Sequence, residues 1–117
     1  MKFRLTQLLP LLLAPVLLVG CEEELPEIDC NTVTVPTYSE VTIWPKCTSC
    51  HASTLTGDAR NDAPEDVNFD TYEAAKEHAE KAVEEVFEGK MPEPDPSIIT
   101  EEEKQSLYAW GLCGTPE

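Results

Sequence analysis

The sequence predicts an all-α fold of three or so helices within its 117 residues. Capping boxes, in which a threonine precedes a glutamate by three positions, stand before two segments of the chain. Apolar residues recur at helical spacing in several segments. No segment shows the apolar-polar alternation of a half-buried strand, so no sheet is expected.

The first predicted helix begins at Thr37, which completes a capping box with Glu40. Pro45 would either kink this helix or end it just before Cys47. The apolar stripe of the helix would consist of Tyr38, Val41 and Trp44.

The central part of the chain is predicted to be a long loop followed by the clearest helix. Residues 52–68 are rich in Thr, Gly, Asp, Asn and Pro, and a loop of this length is unusual in a compact domain unless it wraps a bound group. The helix spans residues 71–88, starts at Asp70 or Thr71 and is ended by Gly89. Its buried stripe would contain Tyr72, Ala75, Ala79, Ala82, Val83 and Val86.

The C-terminal part is predicted to be a stiff strap and a last helix. Residues 90–96 contain three prolines that alternate with other residues, which excludes a helix and favours an extended chain. The last helix would begin at Thr100, whose capping box is completed by Glu103, and end near Gly114. The inward-facing residues would include Leu107 and Trp110.

The N-terminus has the features of an export signal. Lys2 and Arg4 precede an apolar run that is short for a membrane span and contains two prolines. The run ends in Leu-Val-Gly-Cys21, which resembles a bacterial lipoprotein cleavage box, where the cysteine is acylated and becomes the new N-terminus. A retained transmembrane span is the alternative.

The chain is therefore expected to have three parts. Residues 1–20 would be a lipoprotein signal peptide, residues 21–36 an acylated N-terminal tether, and residues 37–114 the folded domain. Acylation of Cys21 would hold the exported protein on a bacterial membrane, facing the periplasm or the cell exterior.

The composition after removal of residues 1–20 is strongly acidic, with six basic and 23 acidic residues and a net charge of −17. This charge repels nucleic acid phosphates, so no nucleic acid partner is expected. It would attract a basic partner protein or cations. A merely solvated surface is the alternative. Lys46 and Arg60 are interpreted as solvated residues, with contact to the acidic groups of a bound molecule or to a partner as the other possibility.

The most specific motif is Cys47-Thr48-Ser49-Cys50-His51. Two thiols about one helical turn apart can form thioethers with the two vinyl groups of one porphyrin, and the following imidazole can then bind the iron. The motif therefore predicts one covalently attached haem c, held by Cys47 and Cys50, with His51 as an iron ligand. The alternatives are a thioredoxin-like redox pair, a structural zinc site completed by Cys30, Cys113 or His78, and a plain disulfide.

The remaining cysteines are Cys30 and Cys113, one near each end of the expected mature chain. Because free thiols rarely persist outside the cytoplasm, we expect them to form a disulfide. Two unpaired thiols are the alternative.

Four features together resemble the class I c-type cytochromes, specifically their small monohaem bacterial lipoprotein members. They are the amphipathic helix before the haem motif, the motif itself, the Met91-Pro92 pair and a final helix with Leu107 and Trp110. The resemblance covers about residues 37–112. It implies a cytochrome c-like fold wrapped around one covalently bound haem, with the first and last helices crossing near one haem edge and a methionine supplied from the opposite side.

Met91 is the predicted sixth ligand of the iron, because it is the one methionine left after export and stands on the rigid strap. A packing role for Met91 is the alternative. His78, the other histidine, lies at the edge of the helical stripe and is interpreted as a partly exposed surface residue, with iron ligation or an open site as rival possibilities.

The resemblance implies a membrane-anchored carrier of single electrons rather than an enzyme, with a redox protein as its partner. The acidic composition favours a partner that has a basic docking face. A haem-based ligand sensor or a small peroxidase-like protein with a displaceable sixth ligand is the first alternative. A non-haem disulfide or zinc module is the second.

Overall fold

The computed structural model of the protein describes Gly20 and residues 24–117. The all-α prediction is confirmed for this part of the chain, which contains four α-helices and no strand. The helices are α1 (Trp44–Thr48), α2 (Tyr72–Glu77), α3 (Ala79–Phe87) and α4 (Glu101–Leu112). Single 3-10 turns lie at Tyr38–Glu40, Gly57–Arg60 and Pro96–Ile98.

The predicted signal peptide, apart from Gly20, and the acylation site Cys21 lie outside the described residues. Within residues 24–117, no helix has the length and apolar character needed to cross a membrane.

The first predicted helix is wrong in its extent. Thr37 and Glu40 form the expected capping box, but it caps only the 3-10 turn, and the chain is extended at Val41. Helix α1 begins afresh at Trp44, with Pro45 in its first turn. The ring of Pro45 explains this, because inside a continuous helix it would clash with the carbonyl of Val41, whereas the first helical turn accommodates it.

The predicted helix over residues 71–88 is interrupted at His78. Thr71 caps α2 as expected by accepting from the backbone N–H of Ala74. His78 then leaves helical geometry (φ −107°, ψ 14°), and its ring Nε2 lies 3.0 Å from the carbonyl oxygen of Asp66. Helix α3 starts directly after it, so the interruption lies where the helix contacts the preceding loop.

Gly89 ends α3 as predicted. Its φ of +71° belongs to the left-handed region that favours glycine. The N–H of Gly89 donates to Val86, and the N–H of Lys90 donates to Glu85, which is the Schellman arrangement. The chain therefore turns sharply from α3 into the strap.

Helix α4 has the predicted capping box of Thr100 and Glu103 and packs against α3. Leu107 and Trp110 are fully buried, as predicted. The core next to them is aromatic: the ring of Trp44 stacks on Phe69 (centroids 5.7 Å apart) and meets Trp110 edge-on at 5.3 Å.

The predicted disulfide between Cys30 and Cys113 is present, with the Cα atoms 5.6 Å apart. It joins the N-terminal segment to the end of α4. The C-terminal tail is held beside it, because the carbonyl oxygen of Pro116 accepts from the indole N–H of Trp110 and from the backbone N–H of Tyr38.

Candidate functional site

A cavity of about 300 Å³ lies between α1, the loop over residues 52–68, α3 and the strap. Its volume is at the lower end of the range for small-molecule and cofactor sites, roughly 300–1,000 Å³. The structure brings four of the predicted site residues together on its wall: Cys47, Cys50, His51 and Met91.

The wall of the cavity is largely apolar. Its charged members are exposed or partly exposed and include two ion-paired lysines: Lys46 bonds to Glu103 at 2.6 Å, and Lys81 bonds to Glu85 at 3.1 Å. Such a wall suits a largely apolar ligand whose charged groups lie near water. Besides Met91, the apolar lining residues are Ile43, Ala63, Pro64, Val67, Phe69, Ala82, Val86, Pro92 and Leu107.

His51 is held by its ring and by its backbone. Its Nδ1 lies 3.0 Å from the carbonyl oxygen of Val67, which can only accept a hydrogen bond. Nδ1 therefore carries the proton, and Nε2 keeps its lone pair for use as a ligand. The backbone oxygen of His51 accepts from the N–H of Phe69 at 2.9 Å, and the Phe69 ring meets the imidazole edge-on at 5.4 Å.

Cys47 and Cys50 are free thiols one helical turn apart, since the N–H of Cys50 donates to the carbonyl of Cys47 at 3.2 Å. Burial, with a smaller contribution from the charge of Glu103, raises the pKa of the Cys47 thiol to about 12. A thioredoxin-like cysteine needs a lowered pKa, so this environment does not favour disulfide exchange chemistry.

The zinc interpretation lacks ligands in this geometry. Cys30 and Cys113 are bonded to each other, and Nε2 of His78 donates a hydrogen bond to the carbonyl oxygen of Asp66 in the loop. Across residues 24–117, no three His, Cys, Asp or Glu side chains converge as a bare metal ion requires. A porphyrin brings four nitrogen ligands of its own and needs only axial ligands from the chain.

Met91 follows directly on the Schellman turn, and its backbone N–H donates to Glu85 at 3.1 Å. Its side chain is half-buried and lines the cavity. His78 also lines the cavity and is partly exposed, as expected. Because the carbonyl of Asp66 accepts from its Nε2, only Nδ1 of His78 keeps a lone pair. The choice of Met91 as sixth ligand stays a prediction.

The interpretation of Arg60 as a solvated residue is wrong: the residue is only 2% exposed. Its guanidinium is surrounded by loop carbonyls, which satisfy its donors away from water. One feature of the sequence could have indicated a special role for this residue: Arg60 is the only Lys or Arg between Lys46 and Lys76. Val67, the acceptor for His51, carried no signal at all.

No protein-family model, curated protein or solved structure matches this chain.

Proposed function

We propose that the protein is a monohaem c-type cytochrome that carries single electrons and performs no catalysis. The observation that carries the proposal is the convergence of Cys47, Cys50, His51 and Met91 on one apolar cavity. The free state of the two thiols and the free lone pair on His51 Nε2 support it further.

Each residue would have a separate task in this site. The thiols of Cys47 and Cys50 would add across the two vinyl groups and so hold the porphyrin covalently. His51 would bind through Nε2, while Val67 fixes the rotation of its ring. The sulfur of Met91 would supply the second iron ligand from the chain. When bound, the haem supplies one-electron chemistry between Fe(III) and Fe(II).

The surrounding chain would determine how readily the electron moves. Apolar residues such as Phe69 and Leu107 line the cavity and would keep water from the haem, and a Met/His ligand pair would favour the reduced iron. The mature charge of −17 favours a basic redox partner. Acylation at Cys21 would keep the carrier on its membrane, as a member of the bacterial lipoprotein cytochromes.

The test is to produce the full chain in a host that matures c-type cytochromes. The purified protein is expected to be red, and its haem is expected to resist extraction by acidified solvent. In the oxidised spectrum, Met91→Ala should remove the methionine–iron signature, and the reduced variant should then bind carbon monoxide. His78→Ala is the matched control and should keep the parent spectrum, since its Nε2 is used on the loop.

Other outcomes would contradict the proposal in distinct ways. A colourless protein would exclude haem binding, and extractable haem would exclude the thioethers. Loss of the sixth ligand in His78→Ala but not in Met91→Ala would identify His78, rather than Met91, as that ligand. Carbon monoxide binding to the reduced parent would indicate a ligand sensor or a peroxidase-like protein instead of a carrier.

A further inference from the structure

Arg60 lies at the centre of the loop that leaves His51 and returns at Phe69. Within the described chain, its guanidinium donates only to neutral oxygens, at 2.5 to 3.4 Å. A buried cation is costly unless dipoles compensate it, so the loop is expected to stay closed around this group. The acceptors are the carbonyls of Ala52, Leu55, Ala63, Pro64 and Val67 and the side-chain oxygen of Asn68.

Two donors meet at the carbonyl oxygen of Val67. Arg60 Nη2 lies 3.1 Å from this oxygen, and His51 Nδ1 lies 3.0 Å from it. A carbonyl oxygen has two lone pairs, so it can accept both bonds at once. A single atom therefore connects the buried charge of the loop to the imidazole of His51.

We propose that Arg60 is a positioning residue for His51. Arg60 holds the carbonyl of Val67 against the imidazole ring and thereby tunes the electron donation of the imidazole to the iron. The inference rests on the proposed function. The guanidinium draws electron density from the shared oxygen, which weakens that oxygen as an acceptor for His51 Nδ1–H. The imidazole then donates less charge, and the nearby cation disfavours the more positive Fe(III). Both effects favour the reduced iron.

The experiment uses the full haem-bearing chain and two readouts: the reduction potential and the NMR signal of His51 Nδ1–H in the reduced protein. Arg60→Met removes the charge and the donors. It is expected to shift the one-electron equilibrium toward Fe(III) by about twofold to tenfold, which is at most about 59 mV, and to move the His51 signal. Arg60→Lys keeps the charge and should therefore shift the reduction potential less than Arg60→Met does.

Lys46→Met is the matched control. It removes a different cation, one that lines the cavity, and Lys46 Nζ contacts the carbonyl of Ile98 and the carboxylate of Glu103, not the acceptor of His51. It should therefore leave the Nδ1–H signal in place. A signal that moves equally in both variants would overturn the role of the shared oxygen.

A further measurement needs no variant and covers the case in which Arg60→Met does not fold. In the reduced parent protein, a nuclear Overhauser effect is expected between the Nη2 protons of Arg60 and the Nδ1 proton of His51. Its absence, or an unchanged potential and signal in a folded Arg60→Met, would overturn the inference while the proposed function stands. A parent chain that attaches no haem would overturn both.

Discussion

Glu103 shows how one side chain joins three parts of the fold. Its carboxylate accepts from the backbone N–H of Thr100 at 2.8 Å, which completes the cap of α4. The same oxygen accepts from Lys46 Nζ at 2.6 Å, and Lys46 also donates to the carbonyl of Ile98. The group therefore connects α1, the 3-10 turn that follows the strap and α4 beside the cavity.

Glu103→Gln is expected to lower the free energy of unfolding by about 1 kcal/mol near neutral pH. The hydrogen bond from Lys46, followed by that from Thr100, lowers the pKa of Glu103 from 4.5. The folded state thus favours the carboxylate, and its stabilisation is present above pH 4.5 and lost as the pH falls through the lowered pKa. Urea unfolding at about pH 7 and about pH 3 measures this change.

The control for this prediction is Glu102→Gln, an exposed carboxylate in the same turn, which should change stability by less than about 0.5 kcal/mol. An equal loss in Glu103→Gln at both pH values would show that packing, rather than the charge, is responsible.

At the same scale, the sequence predicted most directly the part of the site that neighbours in the chain form. The thiols and the imidazole lie within five consecutive residues, so their proximity follows from one turn of chain. The Val67 carbonyl reaches His51, and Arg60 reaches that carbonyl, only after the loop has closed, and nothing in their local sequence determines that closure. Met91 was predicted from its rarity and its neighbouring prolines, and the structure places it on the same cavity.

At the scale of elements, caps and stop signals were predicted better than continuity. Thr71, Gly89 and Thr100 act as expected because their effects are local to one turn. The break at His78 was missed, since no glycine or proline marks it and the apolar stripe continues through it. The break lies where His78 contacts the carbonyl oxygen of Asp66 in the preceding loop. The apolar periodicity of a helix carries no information about such a contact with a loop.

The crossing of α3 and α4 gives a prediction at this scale. A Cβ atom on Gly111 would lie 2.7 Å from Cγ2 of Val83, which is fully buried and cannot rotate away easily. Gly111→Ala is therefore expected to destabilise the protein by about 1–3 kcal/mol, although alanine alone would favour the helix by roughly 1 kcal/mol. Chemical unfolding of the variant measures the net effect.

Val83→Ala supplies the test of this mechanism, because it removes the clashing methyl group. In a double-mutant cycle, the effect of Gly111→Ala should become smaller or change sign when residue 83 is alanine, with a coupling of at least about 0.5 kcal/mol. A Gly111→Ala protein that is more stable than the parent would contradict the close approach of the two helices.

At the scale of the whole molecule, the disulfide between Cys30 and Cys113 closes almost the entire described chain, with a sequence separation of 83. In a domain this small, such a bond restricts the unfolded chain strongly. It also keeps the N-terminal segment on the core, against which Leu25 and Ile28 pack. The pairing was predictable from the number of cysteines, whereas the packing of this segment was not, because its sequence is acidic and shows no period.

Replacing both cysteines by serine is expected to lower the free energy of unfolding by about 4.5 kcal/mol, the loop-closure entropy of a chain of this length. The midpoint of urea unfolding should fall, and the parent protein treated with a thiol reductant should unfold at the same midpoint as the double variant. The thioethers proposed at Cys47 and Cys50 would resist the reductant, so the treated protein should keep its colour while its free energy of unfolding falls. A loss below about 1 kcal/mol would mean that packing of residues 24–36, rather than the covalent bond, keeps the two ends of the fold together.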